Sequence, residues 1–261
     1  MAFMGRVWWT RGWRWGSRAG DMATYRLDRW LANLGYGSRK EIAGVVQAGR
    51  VSLHGDVVRQ VDRGVGIEEV RSGALTLDGE RLDPPAPLTV MLNKPPGYTC
   101  SHDEKGALVY DLLPPRWKLR KPALSCAGRL DKESTGQVLL TDDGELLHRI
   151  IHPKSHAAKH YAVTVAHTLH GDEATLFGTG TFLMQGDAKP LKPAFWTPEG
   201  ERSGRMILHE GRFHQIRRMF DTLGNEVVGL HRYQTGGLPI GELAIGEYRV
   251  LGDDDLRMIG L

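Results

Sequence analysis

Apolar residues near the start of the chain repeat at helical spacing in two neighbouring segments. The first set is Leu27, Trp30, Leu31 and Leu34, and the second is Ile42, Val45 and Val46. Residues three and four apart share one face of an α-helix, so each set predicts a short amphipathic helix. Gly35 suits the left-handed conformation that ends the first helix. Ser38 and Glu41 have the spacing of a capping box at the start of the second.

A hairpin follows these helices and completes a small module. Residues 51–53 alternate between apolar and polar side chains, and residues 54–56 form a turn into the next strand. We therefore predict a small α+β module over residues 24–82. Three prolines make residues 83–87 stiff and poor in hydrogen-bond donors, which predicts a linker.

From residue 88 to about residue 251, short strands separated by turns alternate irregularly with two or three helices. This pattern predicts an α+β domain with a mostly antiparallel, mixed sheet. Residues 159–165 alternate as a strand that turns Tyr161 inward, where it either fills the core or contacts a substrate base. Residues 205–224 predict a strand, a turn and a helix. We expect residues 252–261 to form a C-terminal tail.

The chain has 261 residues and a formal net charge of +3. Four arginines against one aspartate in residues 1–21 account for the whole excess, so any nucleic-acid footprint must come from local clusters of cations. Two isolated cysteines suggest neither a disulfide framework nor a structural zinc site. The chain lacks an apolar run of about 18 residues and a secretory signal, so we expect a soluble, cytoplasmic protein.

Residues 1–23 combine tryptophans with Arg and Gly in no helical or strand period, and we expect a disordered tail. Translation from Met22 would remove nearly all of it. The alternative is a basic aromatic arm that stacks on RNA bases.

Cations cluster in three places, and each cluster could contact phosphate. The first cluster, in the N-terminal module, includes Arg26, Arg39, Lys40 and Arg50. The second, at the start of the predicted C-terminal helix, is Arg212, Arg217 and Arg218. The third, which we interpret as a loop against the RNA backbone, is His102, Lys105, Arg116, Lys118, Arg120 and Lys121. Solvated surfaces remain the alternative for all three, and a carboxylate partner is a further alternative for the second.

The most informative stretch runs from Gly128 to Gly136 and reads GRLDKESTG. Asp131 lies there between a flexible Gly-Arg approach and a predicted strand. A carboxylate kept ionised by a neighbouring cation can attack a sugar carbon, so Asp131 is a candidate nucleophile for chemistry on a riboside. The alternative is an ordinary surface ion pair at a turn.

Several segments together resemble one protein family. Residues 26–55, RLDRWLANLGYGSRKEIAGVVQAGRVSLHG, resemble the S4 domain, a small RNA-binding module. Residues 128–140, 159–161 and 214–217 resemble the three motifs of a pseudouridine synthase, in the family's order and spacing. The further segments MLNKPPGYTCS, TDDGELLHRI and VVGLHRYQTGG extend the likeness. By this resemblance the chain is identified as a member of the RsuA family of pseudouridine synthases, with an S4 domain ahead of the catalytic domain.

The resemblance implies catalytic roles for three residues. Asp131 would be the nucleophile that attacks the ribose of the target uridine or, in an older proposal, the uracil ring. The base then turns, and its C5 is joined to C1′, without a metal or cofactor. Tyr161 would stack on the base and handle a proton. Arg217 would pair with Asp131, which becomes a buried, guanidinium-paired carboxylate.

The resemblance also implies a binding role for several neighbours. Arg129 would hold the surroundings of the flipped nucleotide, and Leu208 or Ile216 would pack against the base. Gln137 stands where the family usually has Leu, and it faces either the core or the solvent.

The implied function is isomerisation of a uridine in ribosomal RNA by a monomer. The resemblance favours small-subunit rRNA, as in the family members that modify position 516 of 16S rRNA. Because we expect the target uridine to be buried, we also expect an assembly intermediate as the substrate. Alternatives are a large-subunit (23S) rRNA synthase and a non-catalytic RNA-binding protein of ribosome assembly. A glycosidase would need Glu133, Asp142 or Asp143 as a second acid. A metal site would use the series His148, His152, His156 and His160, which Pro153 interrupts.

Overall fold

A computed structural model describes residues 24–152 and 157–260. The predicted N-terminal tail, and His156 with Pro153 of the histidine series, therefore lie outside the described residues. Within the described ranges, no helix is long and apolar enough to cross a membrane.

The N-terminal part forms a compact unit of helices and short strands. Its elements are β1 (Thr24–Arg26), α1 (Leu27–Asn33), α2 (Arg39–Gln47), β2 (Val51–Leu53), β3 (Asp56–Val57), β4 (Gly64–Gly66), α3 (Ile67–Arg71), β5 (Leu75–Leu77) and β6 (Glu80–Arg81). The predicted capping box at Ser38 and Glu41 is present at the start of α2. Gly35 has a φ of +87°, as expected after α1. One apolar cluster, from Leu27 to Leu82, gives this unit its own core.

The rest of the chain builds a larger α+β domain. Its strands are β7 (Thr89–Lys94), β8 (Ser125–Cys126), β9 (Thr135–Thr141), β10 (Lys159–Val165), β11 (Phe195–Gly200), β12 (Ser203–Leu208), β13 (Val227–Thr235), β14 (Leu238–Pro239) and β15 (Tyr248–Val250). Its α-helices are α4 (Gly144–Ile151), α5 (Glu173–Gly178), α6 (Gln215–Thr222) and α7 (Asp253–Met258). Two 3-10 helices, Val109–Leu112 and Pro115–Leu119, precede β8.

The main sheet has the order β11-β12-β10-β13-β9-β7-β15, with β14 beside β13 and β8 beside β9. The pairing of β13 with β9 is parallel, and the others are antiparallel. This confirms the predicted α+β fold with a mixed, mostly antiparallel sheet. The parallel pair places Arg232 of β13 beside Gly136 of β9.

Gly136 allows that close approach. A Cβ at this position would lie 2.2 Å from the carbonyl oxygen of Arg232, and the residue has a φ of +103°. Only glycine fits both conditions without a shift of the backbone. Gly136, the last residue of the GRLDKESTG stretch, therefore allows β9 to pair closely with β13.

The central strands are covered on both faces. Val138 and Leu140 of β9 belong to the large cluster that also holds Tyr161. Leu139 faces the opposite cluster, beneath α4. Gln137 is fully buried, and its side-chain amide donates to the carbonyl of Leu238 at 2.9 Å. Of the two orientations expected for Gln137, the structure has the one that faces the core.

The predicted linker is packed against the larger domain. Pro84 and Pro85 are buried, and Asp83 pairs with Arg116. The backbone N–H of Asp83 donates to the hydroxyl of Tyr36, and Arg116 stacks on the ring of Tyr36. Residues 83–87 therefore form a linker with fixed contacts to the larger domain, because their prolines bury apolar surface.

The cations predicted to face RNA in the segment before Asp131 largely have internal partners. Arg116 pairs with Asp83, and Lys118 pairs with Asp111. Arg120 is almost fully buried and pairs with Asp142 at 3.2 Å. For Arg120 the interpretation as an RNA contact is wrong, because a buried guanidinium cannot reach a phosphate.

The predicted C-terminal tail is also wrong for most of its length. Residues 253–258 form α7, and Ile259 is fully buried. The carbonyl of Met258 accepts a hydrogen bond from the backbone N–H of Gly237. Apolar burial at Ile259 fixes this segment to the larger domain.

The buried Arg120–Asp142 pair predicts a large effect of Arg120→Gln on stability. The change leaves a buried carboxylate without its cation, so the free energy of unfolding should fall by about 3 kcal/mol. Burial already raises the pKa of Asp142. Loss of Arg120 raises it further, so the deficit should shrink at acidic pH, where Asp142 is protonated. Urea unfolding at pH 7 and pH 4 measures both effects.

The exposed neighbour Lys121 supplies the matched control for this experiment. Lys121→Gln should change the free energy of unfolding by less than about 0.5 kcal/mol. Equal stability of Arg120→Gln and Lys121→Gln would contradict the account of the buried pair.

Candidate active site

Asp131 lies in the loop between β8 and β9, at the edge of a cleft of about 750 Å³. The backbone N–H of Ser134 donates to the carbonyl of Asp131 at 3.1 Å and closes a turn there. The cleft brings together most of the residues that the sequence analysis predicts for the site. Those in its lining are Asp131, Tyr161, Leu208, Ile216, Arg129 and Arg212.

The Asp131 carboxylate contacts two cationic or potentially cationic groups of the α6 region. Its Oδ2 lies 3.6 Å from Nε of Arg217, and its Oδ1 lies 3.3 Å from Nε2 of His214. The guanidinium of Arg217 also donates to the carbonyl of Val227 at 2.8 Å, and this hydrogen bond fixes its position. The pairing of Asp131 with Arg217 is present, but the side chain of Asp131 is 29% exposed. The expectation of a buried carboxylate is therefore wrong: Asp131 is partly open to the cleft.

His214 is a site residue that the sequence analysis quotes in a motif without giving it a role. It has left-handed backbone angles, with φ 49° and ψ 33°, directly before α6. Few residues other than glycine adopt this conformation, and when they do it often marks a functional site. Here the conformation places the imidazole beside Asp131.

The inner part of the cleft is apolar. Tyr161 of β10 is buried, with Ala162 and Thr164 exposed on the opposite side of the strand. Leu208 ends β12 and Ile216 begins the buried face of α6, and both are buried. A planar ring and two aliphatic side chains thus face a half-open carboxylate. The arrangement can hold an uncharged heterocycle away from water while the carboxylate attacks an electrophilic carbon.

Two buried cations hold the loop that carries Asp131. Lys94 is fully buried and donates to the carbonyls of Lys132 at 2.9 Å and Ser134 at 2.7 Å. Arg232 donates from Nε to the carbonyl of Gln137 at 2.7 Å, and from Nη1 to that of Arg129 at 3.4 Å. Neither cation has a role that was predicted from the sequence. In the sequence, Lys94 and Arg232 can be recognised only as charged residues within an apolar strand pattern.

Lys94 is thus a positioning residue for the loop. Burial lowers the pKa of its ammonium, and the nearby acids Asp131 and Glu133 oppose that shift. Lys94→Met keeps the length of the side chain but removes the ammonium that donates to the carbonyls of Lys132 and Ser134. The Lys132 carbonyl keeps a second donor, the backbone N–H of Gly97 at 2.9 Å. We expect the free energy of unfolding to fall by about 3 kcal/mol, measured by urea unfolding.

The exposed Lys132 in the same loop provides the control for Lys94. Lys132→Met should leave the free energy of unfolding within about 0.5 kcal/mol of the wild type. If Lys94→Met were as stable as Lys132→Met, the buried ammonium would not hold the loop.

Several cations predicted to bind RNA already have carboxylate partners. Arg212 and Arg218 both pair with Asp187, Arg26 pairs with Asp28, and Arg50 pairs with Asp78. Arg129, Arg39 and Lys40 are exposed. Arg212 and Arg218 thus fit the carboxylate-partner alternative in part, and an RNA contact stays a prediction for all seven cations.

The structure weakens the glycosidase alternative for Asp142 and Asp143. Asp142 is buried against Arg120, and Asp143 caps α4 through the N–H groups of Glu145 and Leu146. Neither residue lies in the lining of the cleft. Among the described residues, no group of three or more His, Cys, Asp or Glu side chains could hold a metal ion.

Comparison with known proteins gives concordant matches. The model of the RNA pseudouridylate synthase family matches residues 89–222. The ribosomal small subunit pseudouridine synthase A of Escherichia coli K12 is 37% identical over 240 residues, which are 90% of this chain and 99% of that protein. The uncharacterized RNA pseudouridine synthase YtzG of Bacillus subtilis is 36% identical over 241 residues, 90% and 98% of the two chains. A crystal structure of a pseudouridylate synthase is similar with a TM-score of 0.61, at 33% identity, over 90% of this chain and 99% of that one.

Proposed function

This chain belongs to the family of RNA pseudouridine synthases, and on that premise we propose that it converts one uridine of small-subunit (16S) ribosomal RNA to pseudouridine. The observation that carries the proposal is that Asp131 and Tyr161 line one cleft while Arg217 pairs with the Asp131 carboxylate. Support for the small-subunit substrate comes from the Escherichia coli relative, whose name gives that specificity and which matches this chain over 90% of its length.

In the proposed reaction, the Asp131 carboxylate attacks C1′ of the target ribose. A bond from the carboxylate oxygen to C1′ forms as the bond from C1′ to N1 of uracil breaks. The uracil turns within the pocket and attacks C1′ through C5, and the carboxylate leaves. The proton on C5 is lost and N1 gains one, so that the reaction is an isomerisation.

The other site residues support these steps. Arg217 pairs with the carboxylate and fixes its orientation. Tyr161 stacks on the uracil, and its phenol relays the proton that leaves C5, taking it up as it passes on its own. Leu208 and Ile216 retain the detached base by packing, and Arg129 holds the RNA around the flipped nucleotide.

RNA beyond the target nucleotide would contact the surface cations. Residues 24–82 act in this proposal as an S4 domain, which contacts phosphates through Arg26, Arg39, Lys40 and Arg50. Arg212, which lines the cleft, and Arg218 would contact phosphate while also pairing with Asp187. The protein works as a monomer in the cytoplasm, on an assembly intermediate of the small subunit.

A pseudouridine map of ribosomal RNA from cells with and without the gene tests this function. Carbodiimide treatment followed by primer extension marks each pseudouridine as a stop. We expect one stop in 16S rRNA to vanish with the gene, at the position equivalent to 516, and to return with wild-type protein but not with Asp131→Asn. A change only in large-subunit rRNA would contradict the proposed substrate, and an unchanged map would contradict the activity.

A further inference from the structure

Phe213 lies at the mouth of the cleft and is 72% exposed, more than any other exposed large apolar side chain in the described residues. A single exposed apolar residue is ordinary on a protein surface. The position of Phe213 is unusual, because it lines the same cleft as Asp131 and Tyr161. The proposed chemistry gives this ring no role.

A stack of two rings connects Phe213 to the site. The rings of Phe213 and His214 are 3.8 Å apart between centroids, with 15° between their planes. His214 in turn lies 3.3 Å from the Asp131 carboxylate. The imidazole of His214 therefore lies between the Phe213 ring and the Asp131 carboxylate. Most of the remaining surface of the Phe213 ring is open to solvent.

The turn that carries these rings is held in place by its neighbours. The backbone N–H of Arg212 donates to the side chain of Gln215 at 2.8 Å, and Gln215 donates to Glu210 at 3.1 Å. The Arg212 guanidinium donates to Asp187 at 2.8 Å. These contacts fix the backbone that carries the Phe213 ring, and a surface that is already in position loses less conformational entropy on binding.

We propose that Phe213 stacks on the base of a nucleotide adjacent to the target uridine. This inference rests on the proposed function. A uridine that leaves its helix to reach Asp131 exposes the faces of its neighbours in the RNA. An aromatic ring at the cleft mouth covers one of those faces, as aromatic platforms do in proteins that bind single strands. The exposed cations Arg129 and Lys132 line the same cleft and complement the phosphates of that strand.

The kinetics of three variants on 16S rRNA, tritiated at C5 of its uridines, test this contact. Phe213→Ala should lower kcat/KM for tritium release by about 5- to 150-fold, the range of one lost base–aromatic stack. Phe213→Trp should retain activity near that of the wild type. Phe195→Ala is the matched control, because Phe195 is 54% exposed and lies on β11, outside the cleft lining.

A fluorescent base reports the contact separately from catalysis. 2-Aminopurine is placed beside the mapped target uridine, and binding is measured with Asp131→Asn as the non-reacting protein. Adding Phe213→Ala should raise the fluorescence of the bound RNA at least about twofold, because stacking on the ring quenches it. Phe195→Ala should leave the signal unchanged.

The outcomes separate this inference from the proposed function. An active wild type matched by Phe213→Ala in both kcat/KM and fluorescence would overturn the stacking contact alone. A wild type that releases no tritium from 16S rRNA would overturn the proposed function, and the contact with it.

Discussion

Asp131→Asn should lower the single-turnover rate of pseudouridine formation by at least about 10⁴-fold, as expected when the nucleophile of a covalent mechanism is removed. The amide has nearly the shape of the carboxylate, but it carries no charge and is a poor nucleophile. The contacts of the loop with Lys94 and Arg232 use backbone carbonyls of other residues, so the substitution leaves them intact. Tritium release from RNA labelled at C5 of uridine measures the rate.

Two controls show that this loss is chemical. Glu133→Gln removes an exposed carboxylate two residues away in the same loop, and should stay within about twofold of the wild type. RNA affinity of Asp131→Asn should match that of the wild type within a few-fold. A variant that retained more than about one hundredth of the wild-type rate would show that Asp131 is not the nucleophile.

Tyr161→Phe should reduce the rate of tritium release by about 10²- to 10⁴-fold, the usual contribution of a positioned general acid or base. The ring remains on β10 and still packs in the buried pocket, so base stacking is kept while the phenol is lost. RNA affinity should therefore be nearly unchanged. The same C5-labelled RNA reports this step directly, because the proposed role of the phenol is removal of the C5 proton.

Tyr233 offers the matched control for the loss of a phenol. It lies on the neighbouring strand β13 and contacts His160 rather than the cleft lining. Tyr233→Phe should leave the rate within about twofold of the wild type. Equal rates for Tyr161→Phe and the wild type would show that another group handles the proton.

Local patterns in the sequence predict much of the fold. The capping box before α2, the alternation in β10 and the apolar stripe of α6 are visible in runs of 4 to 8 neighbouring residues, and all three are present. Such patterns depend on the period of a helix or strand, which the chain carries locally. Mostly antiparallel pairing follows from short strands joined by turns.

Contacts between distant parts of the chain could not be predicted in this way. Nothing local distinguishes Arg120, which is buried against Asp142, from the exposed Lys121 beside it. The role of Lys94 depends on carbonyls some forty positions later, and that of Arg232 on carbonyls about a hundred positions earlier. His214 approaches Asp131 only because its backbone is left-handed. Burial of a charge depends on the assembled sheet, not on its neighbours in sequence.

Modification of purified rRNA by the purified protein tests the central claim most directly. Unmodified small-subunit RNA, as a transcript and as an assembly intermediate, and large-subunit RNA are incubated with wild type or Asp131→Asn, and new pseudouridines are mapped by carbodiimide and primer extension. The account predicts one new stop in the small-subunit RNA with the wild type and none with the variant. A stop made equally well by Asp131→Asn, or found only in the large-subunit RNA, would contradict it.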